Sequence, residues 1–270
     1  MKLAADAAPV STTSVTVATA YDAIAPVYDG HLRADWAMRR QLWRHYAMLF
    51  RLGMRVLDVG CGTGTDAIFL ARQGVRVDAI DISAGMLAEL ERKTRAAGLT
   101  QMVSARQMAV SELTTLPPAS FDGIISAYAA LNAVPDLTSF SAAAARLLRP
   151  GGRLVVHMLN PSGAGELLAG GPGSRRSSAG GRGSPLERLV PIGGLTVYHW
   201  LWSADETYRR FFECNFRLVD AYGLGPIARP AMQRLQIWLP ALLRHLERRM
   251  GRRQPLRHRG RFFVLELAAP

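Results

Sequence analysis

The chain has 270 residues, 49% of them hydrophobic, which is enough for one α/β domain with an insertion or cap. Nothing approaches the roughly 18 uninterrupted apolar residues of a membrane span. Net charge is +12 and uneven: residues 1–160 hold 16 Lys+Arg against 13 Asp+Glu, and residues 161–270 hold 17 against 8.

Two distant cysteines, Cys61 and Cys214, make no disulfide framework and fit a reducing, cytoplasmic compartment. The six histidines show no metal-ligand spacing, so no metal is implied. Residues 1–20 are rich in Ala, Thr and Val, but Asp6 and hydroxyl residues interrupt them. They lack the basic start and compact apolar core of a signal peptide and read as a flexible leader. Leu32 to Leu52 reads as a helix with Trp36, Leu42, Trp43, Tyr46 and Leu49 to bury.

The chemistry begins at Arg55-Val-Leu-Asp-Val-Gly-Cys-Gly-Thr-Gly-Thr-Asp66. Val56, Leu57 and Val59 predict a buried strand, and Ile68, Phe69 and Leu70 begin a helical stripe. Between them Gly60, Gly62 and Gly64 can take positive φ and admit a ligand close to the backbone. Cys61 supplies a small side chain inside this loop. Strand, glycine loop and helix make the first unit of a doubly wound sheet. Thr65 stands where a dinucleotide site has its third glycine, and no Gly-Lys-Ser/Thr follows as in a P-loop. Asp58, before the loop, repels phosphate and suits an ammonium group.

Val75, Val77, Ile80 and Ile82 predict a second strand. Asp81 near its end lies where a carboxylate can accept from both hydroxyls of a ribose. Met86 to Ala97 is a helix closed by Gly98, and Met102 to Ala109 a third strand. Gly123 to Ala127 is a fourth strand, with Tyr128 and Asn132 beyond its carboxyl end, where open α/β sheets hold ligands. Asn132 reads equally as a helix N-cap. Leu137 to Leu148 is a helix and Leu154 to Leu159 a fifth strand. His157, on that strand, is either structural or a proton acceptor near the reacting group.

In order and spacing, these pieces resemble class I S-adenosylmethionine-dependent methyltransferases of the small-molecule type. Val56 to Gly64 resembles their nucleoside-binding motif and Ala79-Ile-Asp-Ile-Ser83 their second motif. Phe121 to Ser126 resembles their fourth strand, and Leu147 to Val156 the turn and fifth strand. The likeness covers Tyr21 to Leu159, with an echo in Arg261 to Leu267. It implies a Rossmann-like, mostly parallel seven-stranded sheet with an antiparallel last strand. A leader (1–20) would precede a single domain (21–270), in which 160–215 form an inserted cap.

The resemblance also implies S-adenosylmethionine as cofactor and a small-molecule acceptor. Asp58, Gly60, Cys61, Gly62 and Gly64 would hold the methionine end, and Asp81 and Ile82 the ribose. Met108 and Ala109 would flank adenine, where the family commonly has an aspartate. Tyr21-Asp-Ala-Ile-Ala-Pro-Val-Tyr-Asp29 resembles the family's opening helix, so Tyr21, Tyr28 and His31 are candidates to roof the site. Ser126, Tyr128, Asn132 and His157 would sit near the methyl group or the acceptor, with His157, Tyr128 and Asn132 as candidate catalytic residues.

Residues 163–183 hold eight glycines and read as a mobile lid. Leu195 to Trp202 alternates as a strand, its Tyr198, His199, Trp200 and Trp202 fit to line an acceptor pocket. Ser203 with Glu206 predicts a capping box, and Phe216 to Ala221 a sixth strand. Met232 to Met250 reads as a helix kinked at Pro240, apolar on one face and arginine-rich on the other. Such a helix packs on a core or contacts a membrane surface. Two alternatives to small-molecule methylation stay open: nucleic-acid methylation using the basic C-terminal third, although no nucleic-acid module is present, and a non-catalytic nucleoside-binding or membrane-associated protein.

Overall fold

The computed structural model describes residues 14–161, 184–225 and 260–270. The glycine-rich lid expected at 163–183 and the basic helix expected at Met232–Met250 lie outside the described residues.

Seven strands form one sheet: β1 Arg55–Val59, β2 Arg76–Asp81, β3 Val103–Gln107, β4 Phe121–Ser126, β5 Leu148–Leu159, β8 Arg217–Leu224 and β9 Phe262–Ala268. Their spatial order is β3-β2-β1-β4-β5-β9-β8. Neighbours run parallel from β3 to β5, and β9 runs antiparallel to both β5 and β8. This is the doubly wound, mostly parallel sheet with an antiparallel last strand that the sequence implies. The remaining strands, β6 Leu186–Ile192 and β7 Leu195–Leu201, form a separate hairpin.

Alternation along the strands builds a core on each face. Leu57, Val59, Ile124, Leu154, Val156, Phe263 and Leu265 point to one side, where helix α5 (Thr138–Leu147) adds Phe140 and Leu147. Val56, Val77, Ile125, Val155 and Val264 point to the other. There α2 (Trp36–Leu49), α3 (Thr65–Arg72) and α4 (Ala84–Ala96) contribute Leu42, Tyr46, Leu70 and Leu90. The near-continuous apolar runs of β1, β4 and β9 are what a sheet covered on both faces requires.

Helix α1 is Ser14–Ile24, so residues 14–20, set in a leader by the sequence reading, pack into the fold. The physical reason is burial: Val17 and Ala20 pack against Val197 of the hairpin, with Tyr21, Ile82 and Ile192 around them. The hairpin turns on Gly193 and Gly194 at φ 57° and 80°, the paired positive angles of a tight primed turn. A Cβ on Gly193 would lie 2.3 Å from the Ala20 carbonyl oxygen, so the turn closes directly onto α1. The expected capping box at Ser203 is present, its hydroxyl accepting from the Glu206 N–H at 3.3 Å, and opens the short helix Ala204–Thr207.

Candidate active site

β1 sits where the strand order reverses, between β2 and β4, so a crevice opens beyond the carboxyl ends of β1 and β4. A cavity of about 410 Å³ fills it, within the usual range for small-molecule sites. Asp58, Gly60, Cys61, Gly62, Asp81, Ile82, Met108, Ala109, Tyr28 and Tyr128 all line it. Ten of the residues singled out from the sequence are therefore brought together.

The loop after β1 is held open by backbone bonds. The N–H groups of Gly60 and Cys61 both donate to the Ile80 carbonyl, at 2.9 and 3.0 Å. Gly62, at φ 52°, donates its N–H to Asp81 Oδ2 at 2.8 Å, and the Ser83 N–H donates to Asp81 Oδ1 at 2.9 Å. Burial nonetheless dominates and pushes the Asp81 carboxyl above the usual carboxylate range, against the backbone hydrogen bonds.

Gly64 departs from expectation. It caps α3 at φ 75°, and a Cβ there would lie 1.8 Å from Leu90 Cδ1. It does not line the cavity; its missing side chain admits α4 rather than a ligand. Gly60 lines the cavity, but its own Cβ position is filled by Ala130, 2.3 Å away.

Asp58 is 1% exposed, and its Oδ2 has no hydrogen-bond partner among the described residues. Burial first, then the nearby Asp66 and Asp81 carboxyls, push it well above the usual carboxylate range against the pull of Arg39. A buried carboxyl left over after packing fits a site completed by a cationic group. Cys61 is held as a neutral thiol by burial and by Asp81 and Asp58, which suits filler and not a nucleophile.

Sequence reading missed Arg39 and Asp66, which also line the cavity. Arg39 Nη1 donates to Asp66 Oδ2 at 2.9 Å, Trp43 Nε1 donates to Asp66 Oδ1 at 2.6 Å, and the Arg39 guanidinium lies 4.0 Å from the Tyr128 ring centre. The one available signal was a charged residue at each of two otherwise apolar helix positions. Above the cavity, Tyr21 and Tyr28 meet edge to face at 6.3 Å, as the resemblance implied for a roof. Burial raises both phenols, Tyr28 to about 12, so they stay neutral.

Beyond β4, Tyr128 and Ala129 take left-handed φ values of 51° and 68°, a local strain of the kind found at functional sites. Three residues expected beside the ligand lie outside the main cavity. Ser126 does not line the cavity; its buried hydroxyl donates to the Val59 carbonyl at 2.8 Å, tying β4 to β1. Asn132 is fully buried, donating from Nδ2 to the Trp200 carbonyl at 3.0 Å and accepting the Leu159 N–H on Oδ1 at 2.9 Å. It clasps the hairpin to β5, lies outside the main cavity and is not an N-cap.

His157 is 1% exposed behind Tyr128 and lines neither this cavity nor the smaller one beside Tyr128. Its Nδ1 accepts the Tyr128 N–H at 3.1 Å, and burial followed by Arg39 and Arg261 depresses its pKa to about 3. Of the cap aromatics, Tyr198, Trp200 and Trp202 stay out of the main cavity. Trp202 is buried against Phe211 at 5.5 Å. His199 lines a second, smaller cavity. Among the described residues no helix is long and apolar enough to cross a membrane, and no cluster could hold a metal ion.

The strand order, the antiparallel last strand and the crevice beyond β1 and β4 define a Rossmann-like, doubly wound fold. Residues 56–152 match the family described as "Methyltransferase domain". The chain is 43% identical over 119 residues to a ubiquinone biosynthesis O-methyltransferase of Xylella fastidiosa (strain M23), covering 43% of this chain and 46% of that one. It is 38% identical over 144 residues to its namesake in Methylococcus capsulatus, covering 52% of this chain and 59% of that one. The chain thus spans about half the length of the curated relatives it matches. Among solved structures, the CcbJ methyltransferase from Streptomyces caelestis superposes with a TM-score of 0.62 at 21% identity, over 93% of this chain and 98% of that one. The [4+2]-cyclase SpnF superposes with a TM-score of 0.64 at 21% identity, over 97% and 98%. These two likenesses show the fold alone.

Proposed function

We propose that this protein transfers a methyl group from S-adenosylmethionine to a small-molecule acceptor. The observation that carries the reading is the pair of carboxyls, the buried Asp58 and the half-buried Asp81, on adjacent strands with the glycine loop between them. Asp58, with its unpartnered oxygen, fits the ammonium of the methionine moiety. Asp81 fits the two ribose hydroxyls. Ile82, Met108, Ala109 and Val110 surround the adenine position with apolar surface, which replaces the acidic contact common in the family. Tyr21 and Tyr28 cover the cavity and exclude water.

The bound sulfonium supplies an already activated methyl group. The protein's task is then to hold the acceptor in line, and orientation can supply most of the rate. No general base is assigned, because His157 is enclosed and neutral. The free thiols of Cys61 and Cys214 accord with a reducing, cytoplasmic compartment.

The test is transfer of label from methyl-tritiated S-adenosylmethionine. Label should pass to small organic extracts and not to RNA or DNA, and Asp81→Ala should lower transfer at least tenfold. Label in nucleic acid alone would overturn the reading.

A further inference from the structure

A second cavity of about 190 Å³ lies beside the first and shares Tyr21, Tyr28, Leu32 and Tyr128 with it. These shared side chains form the partition between the two spaces. Opposite them the hairpin supplies Val190, Ile192 and His199, with Leu159 of β5 alongside. An apolar cavity of about 150 Å³ can hold a benzene ring, so a space of about 190 Å³ has room for a ring with one or two small substituents.

His199 sets the chemistry of this space. It is 5% exposed, and neither ring nitrogen has a hydrogen-bond partner among the described residues. Burial lowers its pKa to about 4, so the ring is neutral and offers one donor and one acceptor. Buried polar groups are normally satisfied, so an imidazole left open on a cavity wall points to an occupant that completes it. The charges on the same wall are already engaged. Arg261 Nη1 donates to Asp35 Oδ1 at 2.6 Å, and Arg188 has an interaction of its own. An ion entering here would give up its hydration without meeting a charge reserved for it. A hydroxyl, which both donates and accepts, matches the neutral imidazole. Val190, Ile192 and Leu159 suit an apolar body beside it.

We propose that this cavity is the acceptor site and that it takes an uncharged, ring-sized acceptor whose hydroxyl is held by His199. The body lies along Val190 and Ile192, with the methylated atom toward the Tyr28–Tyr128 partition. His199 is then a binding residue that selects the acceptor by a hydrogen bond. The assignment rests on the methyl-transfer reading, since only there does a second site beside the cofactor cavity have a role.

Fluorine NMR with 4-fluorophenol, fluorobenzene and 4-fluorobenzoate tests it on the wild type, His199→Phe and Val190→Trp, beside calorimetric titration with S-adenosylhomocysteine. The wild type should bind the phenol about tenfold tighter than fluorobenzene, the size of one buried hydrogen bond, and tighter than the benzoate. His199→Phe should still bind fluorobenzene and lose the preference for the phenol, and Val190→Trp should exclude both. Affinity for S-adenosylhomocysteine should stay within about twofold throughout. Four results would overturn the proposal: no phenol binding to the wild type, so that water alone completes His199; equal binding of phenol and fluorobenzene; tighter binding of the benzoate; or an undiminished phenol preference in His199→Phe. Should His199→Phe not fold, exclusion of the phenol by Val190→Trp decides. Phenol binding without any S-adenosylhomocysteine binding would refute the cofactor reading, and the acceptor role with it, while leaving the pocket.

Discussion

His157 Nδ1 accepts the backbone N–H of Tyr128 at 3.1 Å, while the His157 carbonyl accepts the N–H of Ala129 at 3.1 Å. One β5 residue thus pins both left-handed residues beyond β4, and with them the ring that walls both cavities. The accepting Nδ1 fixes the tautomer with the proton on Nε2.

Replacing His157 should therefore act on placement rather than on proton transfer. His157→Leu removes the acceptor for a buried N–H in a strained turn and should cost about 1–3 kcal/mol of stability. Urea denaturation reads this directly. His157→Asn, which can still accept through Oδ1, should recover part of the loss. The wild-type rate profile should contain no limb assignable to this residue near pH 6.5; a His157-dependent limb there would contradict its placement.

The two buried histidines predict acid sensitivity. In the folded chain His157 titrates near 3 and His199 near 4, against an ordinary value of 6.5. The unfolded chain binds these protons first as pH falls. The stability carried by the neutral rings is thus complete above about 6.5 and is lost as pH drops toward the folded values. Each contributes a slope of up to about 1.4 kcal/mol per pH unit in that window. The raised carboxyls of Asp58 and Asp81 act in the opposite sense, so the comparison must be between variants. Unfolding free energies from pH 7 to pH 5 should fall less steeply in His199→Phe than in the wild type.

Asp58 predicts a proton released on ligand binding. Burial raises its carboxyl well above the usual carboxylate range, which favours the neutral form, and an ammonium docking on it favours the charged form. Titrations of S-adenosylhomocysteine in buffers of different ionisation enthalpy should show proton release in mildly acidic solution, and affinity should rise with pH. Asp58→Asn should abolish the release and weaken binding about tenfold or more.

Gly64 predicts a packing defect. A side chain there meets Leu90 at 1.8 Å and must also hold φ at 75°. Gly64→Val should destabilise the domain by about 2–4 kcal/mol through overpacking and backbone strain, seen as a lowered denaturation midpoint. Adding Leu90→Ala should restore part of it.

The sheet was legible because its signals are local. Val56 to Gly64 carries a strand, a loop and a helix start within a few residues, and Asp81 follows at a fixed distance. What escaped depends on pairs far apart in the chain. Arg39 and Asp66 look like ordinary surface charges until α2 and α3 are packed together. Ser126, Asn132 and His157 carry ligand-like chemistry at ligand-like positions, yet each is spent on a backbone group of a neighbouring strand or loop. Alternation told which residues lie on β4 and β5 but not that these polar ones would be enclosed. The turn Ile192-Gly-Gly-Leu195 was a readable hairpin signal that passed unused, and Ser14 to Ala20 was set apart because its small residues make a weak helical stripe.

The central claim is that the crevice between β1 and β4 holds S-adenosylmethionine, with Asp81 on its ribose. Calorimetric titration with S-adenosylmethionine, S-adenosylhomocysteine and NADH, on the wild type and on Asp81→Ala, tests it most directly. Binding of both sulfur nucleosides, none of NADH, and a loss of at least tenfold in a folded Asp81→Ala are the predicted results. No binding of either sulfur nucleoside to the wild type, or undiminished binding in Asp81→Ala, would contradict it.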